Sequence, residues 1–83
     1  MKVKLKLFST LTDYLPSDQR GNEVEVEIAG PDPIDTVLER FHVPPRLAHL
    51  VLVNGIFVPP AQRQSYRLAE GDHLAVWPPI AGG

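Results

Sequence analysis

The sequence predicts a two-layer α+β domain, a mixed sheet of four or five strands packed on one main helix. Three observations predict it. Residues 2–7 and 23–28 alternate charged and apolar side chains, the period-two mark of a half-buried strand. The stretch "GPDPIDTVLERFHVPP" places apolar residues at helical spacing. The stretch "LVLVNGIFVPP" sets Asn-Gly between two apolar runs, the strongest short-range signal for a hairpin.

In the first strand Val3, Leu5 and Leu7 alternate with Lys2, Lys4 and Lys6. In the second Val24, Val26 and Ile28 alternate with Glu23, Glu25 and Glu27. One outer face is all lysine and the other all glutamate. Opposite charges across neighbouring strands are favourable, so these two strands are expected to pair. Between them Leu11, Tyr14 and Leu15 fall at helical spacing before Pro16, which predicts one short helix and a loop.

The main helix is expected to be N-capped by Asp32, with Pro33 in its first turn. Ile34, Val37, Leu38 and Phe41 form its apolar stripe, and Pro44 and Pro45 end it by Val43. In the hairpin Val51, Val53, Ile56 and Val58 should face the core, with Leu52 and Phe57 on the other side. Pro59 and Pro60 close it, and Gly71 should take a turn before a last strand. There Leu74 and Val76 point inward and Trp77 outward. Each pair of adjacent prolines ends an element. The order strand, short helix, strand, helix, hairpin, strand fits a β-grasp roll over residues 1–77, followed by a protruding tail at 78–83.

The bulk numbers exclude several functions. With 83 residues the chain is one small domain with little room for a deep private active site. A net charge of -2 provides no basic field for nucleic acid and no reason to expect an anionic membrane surface as partner. There is no cysteine, which removes disulfides, thiolate catalysis and cysteine-held metal clusters. The N-terminus lacks the apolar core of a signal peptide, and no run approaches a membrane span, so the cytoplasm is the expected compartment. His42, His49 and His73 share no ligand spacing, and Ser9 and Ser65 have no evident base. No metal site and no bound cofactor are expected, and nothing supports self-contained catalysis.

The tail "WPPIAGG" is the exception to this quiet inventory. Pro78 and Pro79 cannot continue a strand's hydrogen bonds and fix φ near -65°, so they should project Ile80 and Ala81 away from the body. Gly82 and Gly83 have no Cβ, so another protein or a reactive phosphate can approach their backbone closely. A frayed end is the bland alternative, but a frayed end needs no stiffening. The arrangement suits a carboxylate handed to a second protein inside a narrow channel.

With Gly71-Asp72 and Pro78-Pro79 through Gly82-Gly83, "LAEGDHLAVWPPIAGG" resembles the C-terminus of the small subunit of molybdopterin synthase, in the MoaD/ThiS group of ubiquitin-like sulfur carriers. The similarity extends more weakly to "VLVNG" and the first strand. The resemblance implies a ubiquitin-like β-grasp fold and a carrier that is not catalytic alone. It implies that an adenylating enzyme related to ubiquitin activators uses ATP to convert the Gly83 carboxylate to an acyl-adenylate. A sulfur donor then gives a thiocarboxylate, a covalent sulfur on the C-terminus. Gly82 would let the end enter both partner sites. The large subunit of molybdopterin synthase would take up that sulfur to build the molybdenum cofactor's dithiolene. Pro78, Pro79, Ile80 and Ala81 would form the tail, while Trp77 and Phe57 would be exposed apolar anchors for partners. Trp77 could instead cap the edge of the core. Other outcomes stay open: a carrier for thiamin thiazole or tRNA thiolation, a ubiquitin-like protein modifier, or a β-grasp interaction module with an inert tail.

Overall fold

The computed structural model describes residues 1–17 and 19–79. The expectations for Ile80, Ala81, Gly82 and Gly83 lie outside the described residues. Among the described residues five strands form one mixed sheet: β1 (Lys2–Leu7), β2 (Glu23–Glu27), β3 (Leu50–Val53), β4 (Ile56–Phe57) and β5 (His73–Trp77). The spatial order is β2-β1-β5-β3-β4. β5 runs parallel to β1 and antiparallel to β3, so the last strand of the chain fills the middle of the sheet. The described residues also form one α-helix, α1 (Ile34–Arg40), and three short 3-10 helices (Ser9–Tyr14, Pro45–Leu47, Pro60–Gln62). This is the β-grasp architecture expected from the element order.

Charge complementarity sets the first pairing. Lys2, Lys4 and Lys6 of β1 stand opposite Glu27, Glu25 and Glu23 of β2. Two of the close ion pairs run diagonally, Lys2–Glu25 at 3.7 Å and Lys4–Glu23 at 3.7 Å, and Lys6–Glu23 at 3.6 Å runs straight across. Each is exposed to solvent and worth no more than about 1 kcal/mol. Their larger effect is on register, since a one-residue slip would set each lysine opposite an apolar residue and turn the apolar set of one strand outward. The other sheet face carries the core. Leu5, Leu7, Leu74, Val76 and Val51 are fully buried with Ile34 and Val37 of α1 and with Leu11 and Leu68 from the connections.

Three local expectations are corrected. Asp32 does not cap α1: Pro33 occupies the N-cap position and no side chain caps it. The Asp32 carbonyl instead accepts from the Leu68 N–H at 2.9 Å, tying the helix entry to the segment before β5. The helix also stops at Arg40, three residues before Val43. His42 takes a left-handed conformation, φ +62°. Its N–H donates to the Glu39 carbonyl at 2.9 Å, and the Val43 N–H donates to the Leu38 carbonyl at 3.1 Å. This is a Schellman ending with histidine in the place usually taken by glycine, and buried Leu38 and Val43 supply its apolar contact. The prolines follow a helix that has already ended.

The third correction is Ile56. Its cross-strand partner Val53 is buried, as are Val51 and Val58, but Ile56 is 72 % exposed. Alternation gave the correct face. However, β4 is a two-residue edge strand directly after the turn, and at that corner the core cluster does not reach the side chain. The turn itself is as expected: Asn54 has φ +52° and Gly55 φ +83°.

Candidate functional site: the root of the C-terminal tail

The alternation of β5 buries Leu74 and Val76 and turns His73, Ala75 and Trp77 to the outer face. Register places Leu50 opposite Trp77, Leu52 opposite Ala75, and Phe57 opposite Leu52. The outer face is therefore divided. Over β1 and β2 it is the lysine–glutamate ladder, and over β3, β4 and β5 it is apolar apart from His73. Phe57 is 51 % exposed, as an anchor requires.

Trp77 is placed differently from the expectation. It points outward, but it is half-buried, because Phe8 lies flat against it with ring centroids 4.1 Å apart and 6° between the planes. Phe8 immediately follows β1, and its N–H donates to the Val76 carbonyl at 3.1 Å, which brings the rings together. Trp77 thus presents one covered face. Nor are Phe57 and Trp77 adjacent, since β3 lies between their strands. Leu50 and Leu52 bridge them. Neither leucine is among the residues expected at the site, although their phase in "LVLV" marks them as outward.

Beyond Trp77, Pro78 and Pro79 leave the sheet with no N–H to donate. With Ser9, Thr10, His49, Leu50 and Trp77 they line an open hollow of about 340 Å³. A larger hollow of about 480 Å³ lies beside α1, lined by Asp35, Leu38, Glu39, His42, Val43, Pro45 and Gln64. It shares no lining residue with the tail root.

Two polar assemblies hold the frame around this site, and neither was legible beforehand. Asn54 Nδ2 donates to Asp72 Oδ1 at 2.9 Å, Asn54 Oδ1 accepts from the His73 N–H at 2.9 Å, and Asp72 Oδ2 accepts from the Ala69 N–H at 2.8 Å. The hairpin tip is thus fixed to the Gly71 turn, where φ is +84°. The second assembly is Arg63, only 5 % exposed. Its guanidinium donates to the carbonyls of Val58, Ala48 and His49. Burial holds its pKa below the usual arginine value, and the Asp35 carboxylate opposes that shift.

Among the described residues no three His, Asp or Glu side chains gather where they could hold a metal ion. No helix there is long and apolar enough to cross a membrane. What the site offers is a stiff exit from the central strand beside a flat apolar face. That combination, on this fold, defines a ubiquitin-like β-grasp protein.

A family model described as Mut7-C ubiquitin matches residues 1–81, and the chain belongs to that family. No curated protein matches its sequence. Among solved structures it is similar to SAMP1 from Haloferax volcanii, at 25 % identity over the whole of both chains and a TM-score of 0.69. It is also similar to the putative molybdopterin converting factor subunit 1 from Pyrococcus furiosus, at 21 % identity and a TM-score of 0.63. That match covers 95 % of this chain and 98 % of that one. A third likeness is to a complex of subunits 1 and 2 of the molybdopterin-converting factor from Helicobacter pylori, at 15 % identity, full coverage of both chains and a TM-score of 0.60. The fold is that of small ubiquitin-like proteins of the MoaD/ThiS kind.

Proposed function

We propose that the chain is a sulfur carrier for molybdopterin synthesis, with the reactive group on the carboxylate of Gly83. The observation that carries the reading is the Pro-Pro-Ile-Ala-Gly-Gly sequence, set directly after the central strand of a β-grasp sheet. The solved structures with this fold include a molybdopterin converting factor subunit 1.

In this reading the Gly83 carboxylate oxygen attacks the α-phosphate of ATP in an adenylating enzyme, and pyrophosphate leaves. The terminal sulfur of a donor persulfide attacks the acyl carbon, and AMP leaves. A second thiol then takes the donor's sulfur into a disulfide and frees the thiocarboxylate. Adenylation turns a poor leaving group into a good one, so the carrier itself needs no base or nucleophile of its own. Gly82 and Gly83 have no Cβ to obstruct that approach, and Pro78 and Pro79 stiffen the root of the tail. The apolar outer face formed by Leu50, Leu52, Phe57 and Trp77 would dock the large subunit. The presence of a second subunit in the Helicobacter pylori complex supports a partner of that kind.

A second reading is favoured by the family description, which joins a ubiquitin-like unit to the designation Mut7-C. There the domain is an interaction module, and its apolar face alone carries the function.

Intact-mass measurement after incubation with ATP, a sulfur donor and the cognate activating enzyme separates the two. The carrier gains one sulfur in place of one oxygen, and a variant with one uncleaved residue after Gly83 does not. A module shows no mass change in either. Isopeptide-linked conjugates would instead identify a protein modifier.

A further inference from the structure

We infer that Arg63 is a positioning residue for the C-terminal tail and that it acts through the His49 peptide. Its functional consequence rests on the carrier reading, but the coupling itself stands on geometry alone.

Among the described residues Arg63 is the one buried charged side chain. A buried cation is costly unless its donors are met, and here they are met by backbone. Nε donates to the Val58 carbonyl at 3.2 Å, Nη1 to the Ala48 carbonyl, and Nη2 to the His49 carbonyl at 3.1 Å. Val58 directly follows β4, while Ala48 and His49 directly precede β3. The rigid guanidinium fork therefore joins the two ends of the hairpin. A lysine would bring the charge without the fork.

The connection continues past the hairpin. The peptide whose carbonyl meets Nη2 follows the His49 N–H, and that N–H donates to the Trp77 carbonyl at 3.0 Å. Trp77 is the last residue of β5, and neither Pro78 nor Pro79 has an N–H with which to add a further anchor. His49 also lines the hollow at the tail root with Trp77, Pro78 and Pro79. Arg63, His49, Trp77 and the proline pair thus form one continuous path. Fixing His49 helps fix the carbonyl from which the stiff tail departs. A partner that must receive Gly83 in a narrow channel meets a tail root, Trp77 to Pro79, that is fixed in advance, so less ordering remains to be done on binding.

The test uses the isolated chain, so it is independent of any sulfur chemistry. In the unaltered protein, amide hydrogen exchange at His49 is expected to be as slow as at the core positions Leu5 and Leu74. Arg63→Met and Arg63→Lys should each speed His49 exchange about tenfold or more, the effect of losing a charge-assisted hydrogen bond. Leu5 and Leu74 should keep their rates. Trp77, the only tryptophan, should become more readily quenched by acrylamide in both variants. The inference is overturned if His49 in the unaltered protein exchanges as fast as exposed Gly55. It is also overturned if the variants speed all amides in parallel, or if Trp77 quenching does not change. Should both variants fail to fold, the exchange rate of His49 in the unaltered protein decides. A chain that passes these tests yet never gains sulfur would refute the carrier reading and leave the coupling intact.

Discussion

The indole of Trp77 and the ring of Phe8 are stacked 4.1 Å apart, within 6° of parallel, on the face of the sheet away from α1. The contact joins the residue after the first strand to the last residue of the central one. It gives Trp77 a structural role beside any role in binding.

Trp77→Ala should therefore cost stability as well as partner affinity. The expected loss is about 1–3 kcal/mol, below the ~3–5 kcal/mol of a fully buried aromatic deletion. A urea melt measures it. A double-mutant cycle with Phe8→Leu should show a coupling of about 0.5–1.5 kcal/mol. Strict additivity would mean that the stack contributes nothing.

Asn54→Ala should destabilise by about 1–3 kcal/mol. It removes the bonds to Asp72 and to the His73 N–H and leaves a residue with a Cβ at φ +52°. Asn54→Gly relieves the backbone but also loses the bonds, so it should lie between alanine and the parent. Equal melting midpoints for Asn54→Gly and the parent would show that the tether to Asp72 is idle.

Two groups near the amino terminus should shape the pH dependence of stability. In the chain that begins at Met1, the N-terminal ammonium donates to Glu27 Oε2 at 2.7 Å. That hydrogen bond lowers the Glu27 pKa and raises that of the ammonium. The depressed carboxylate contributes stability above its unfolded value, about 4.3, which is lost as pH falls through the lower folded value. The raised amine contributes stability below its unfolded value, about 8, which is lost as pH rises through the higher folded value. Glu27→Gln should flatten both limbs. Melting points followed from pH 3 to 10 test this, and an unchanged alkaline limb would place its origin elsewhere.

Gly82→Val should leave the domain folded and its docking face intact while blocking chemistry at the neighbouring carbon. The expected signature is a complex with the activating enzyme that still forms but exchanges little pyrophosphate into ATP. Exchange at the parent rate would remove the steric argument for the glycine pair.

Much of this molecule is legible in short-range patterns. The lysine and glutamate strands declare their pairing because cross-strand charge repeats with the same period as the pleat. Asn54-Gly55 declares its turn because few residue pairs tolerate two positive φ angles. What escapes is what depends on distant partners. Arg63 looks like any loop arginine, since its acceptors are carbonyls at 48, 49 and 58 that carry no residue identity. Phe8 gives no hint that its neighbour in space is 69 positions away. Ile56 shows the limit of alternation, which assigns a side chain to a face but not the extent of the layer covering that face.

The position of β5 between β1 and β3 also governs when this chain acquires its fold. During synthesis the strands emerge in numerical order, so β1 with β2 and β3 with β4 are available as separate antiparallel ribbons before the strand that unites them exists. Two-stranded ribbons are at best marginal alone. Until residue 77 has cleared the ribosome, the two ribbons lack the strand that joins them into one sheet, and their inner faces lack Leu74 and Val76 packed between them. Native contacts made late, between segments far apart in sequence, slow the final step and lengthen the exposure of apolar surface. Premature termination before Leu74 would therefore yield an unfolded polypeptide suited to proteolytic clearance, and the tail would be presented to partners only on a completed body.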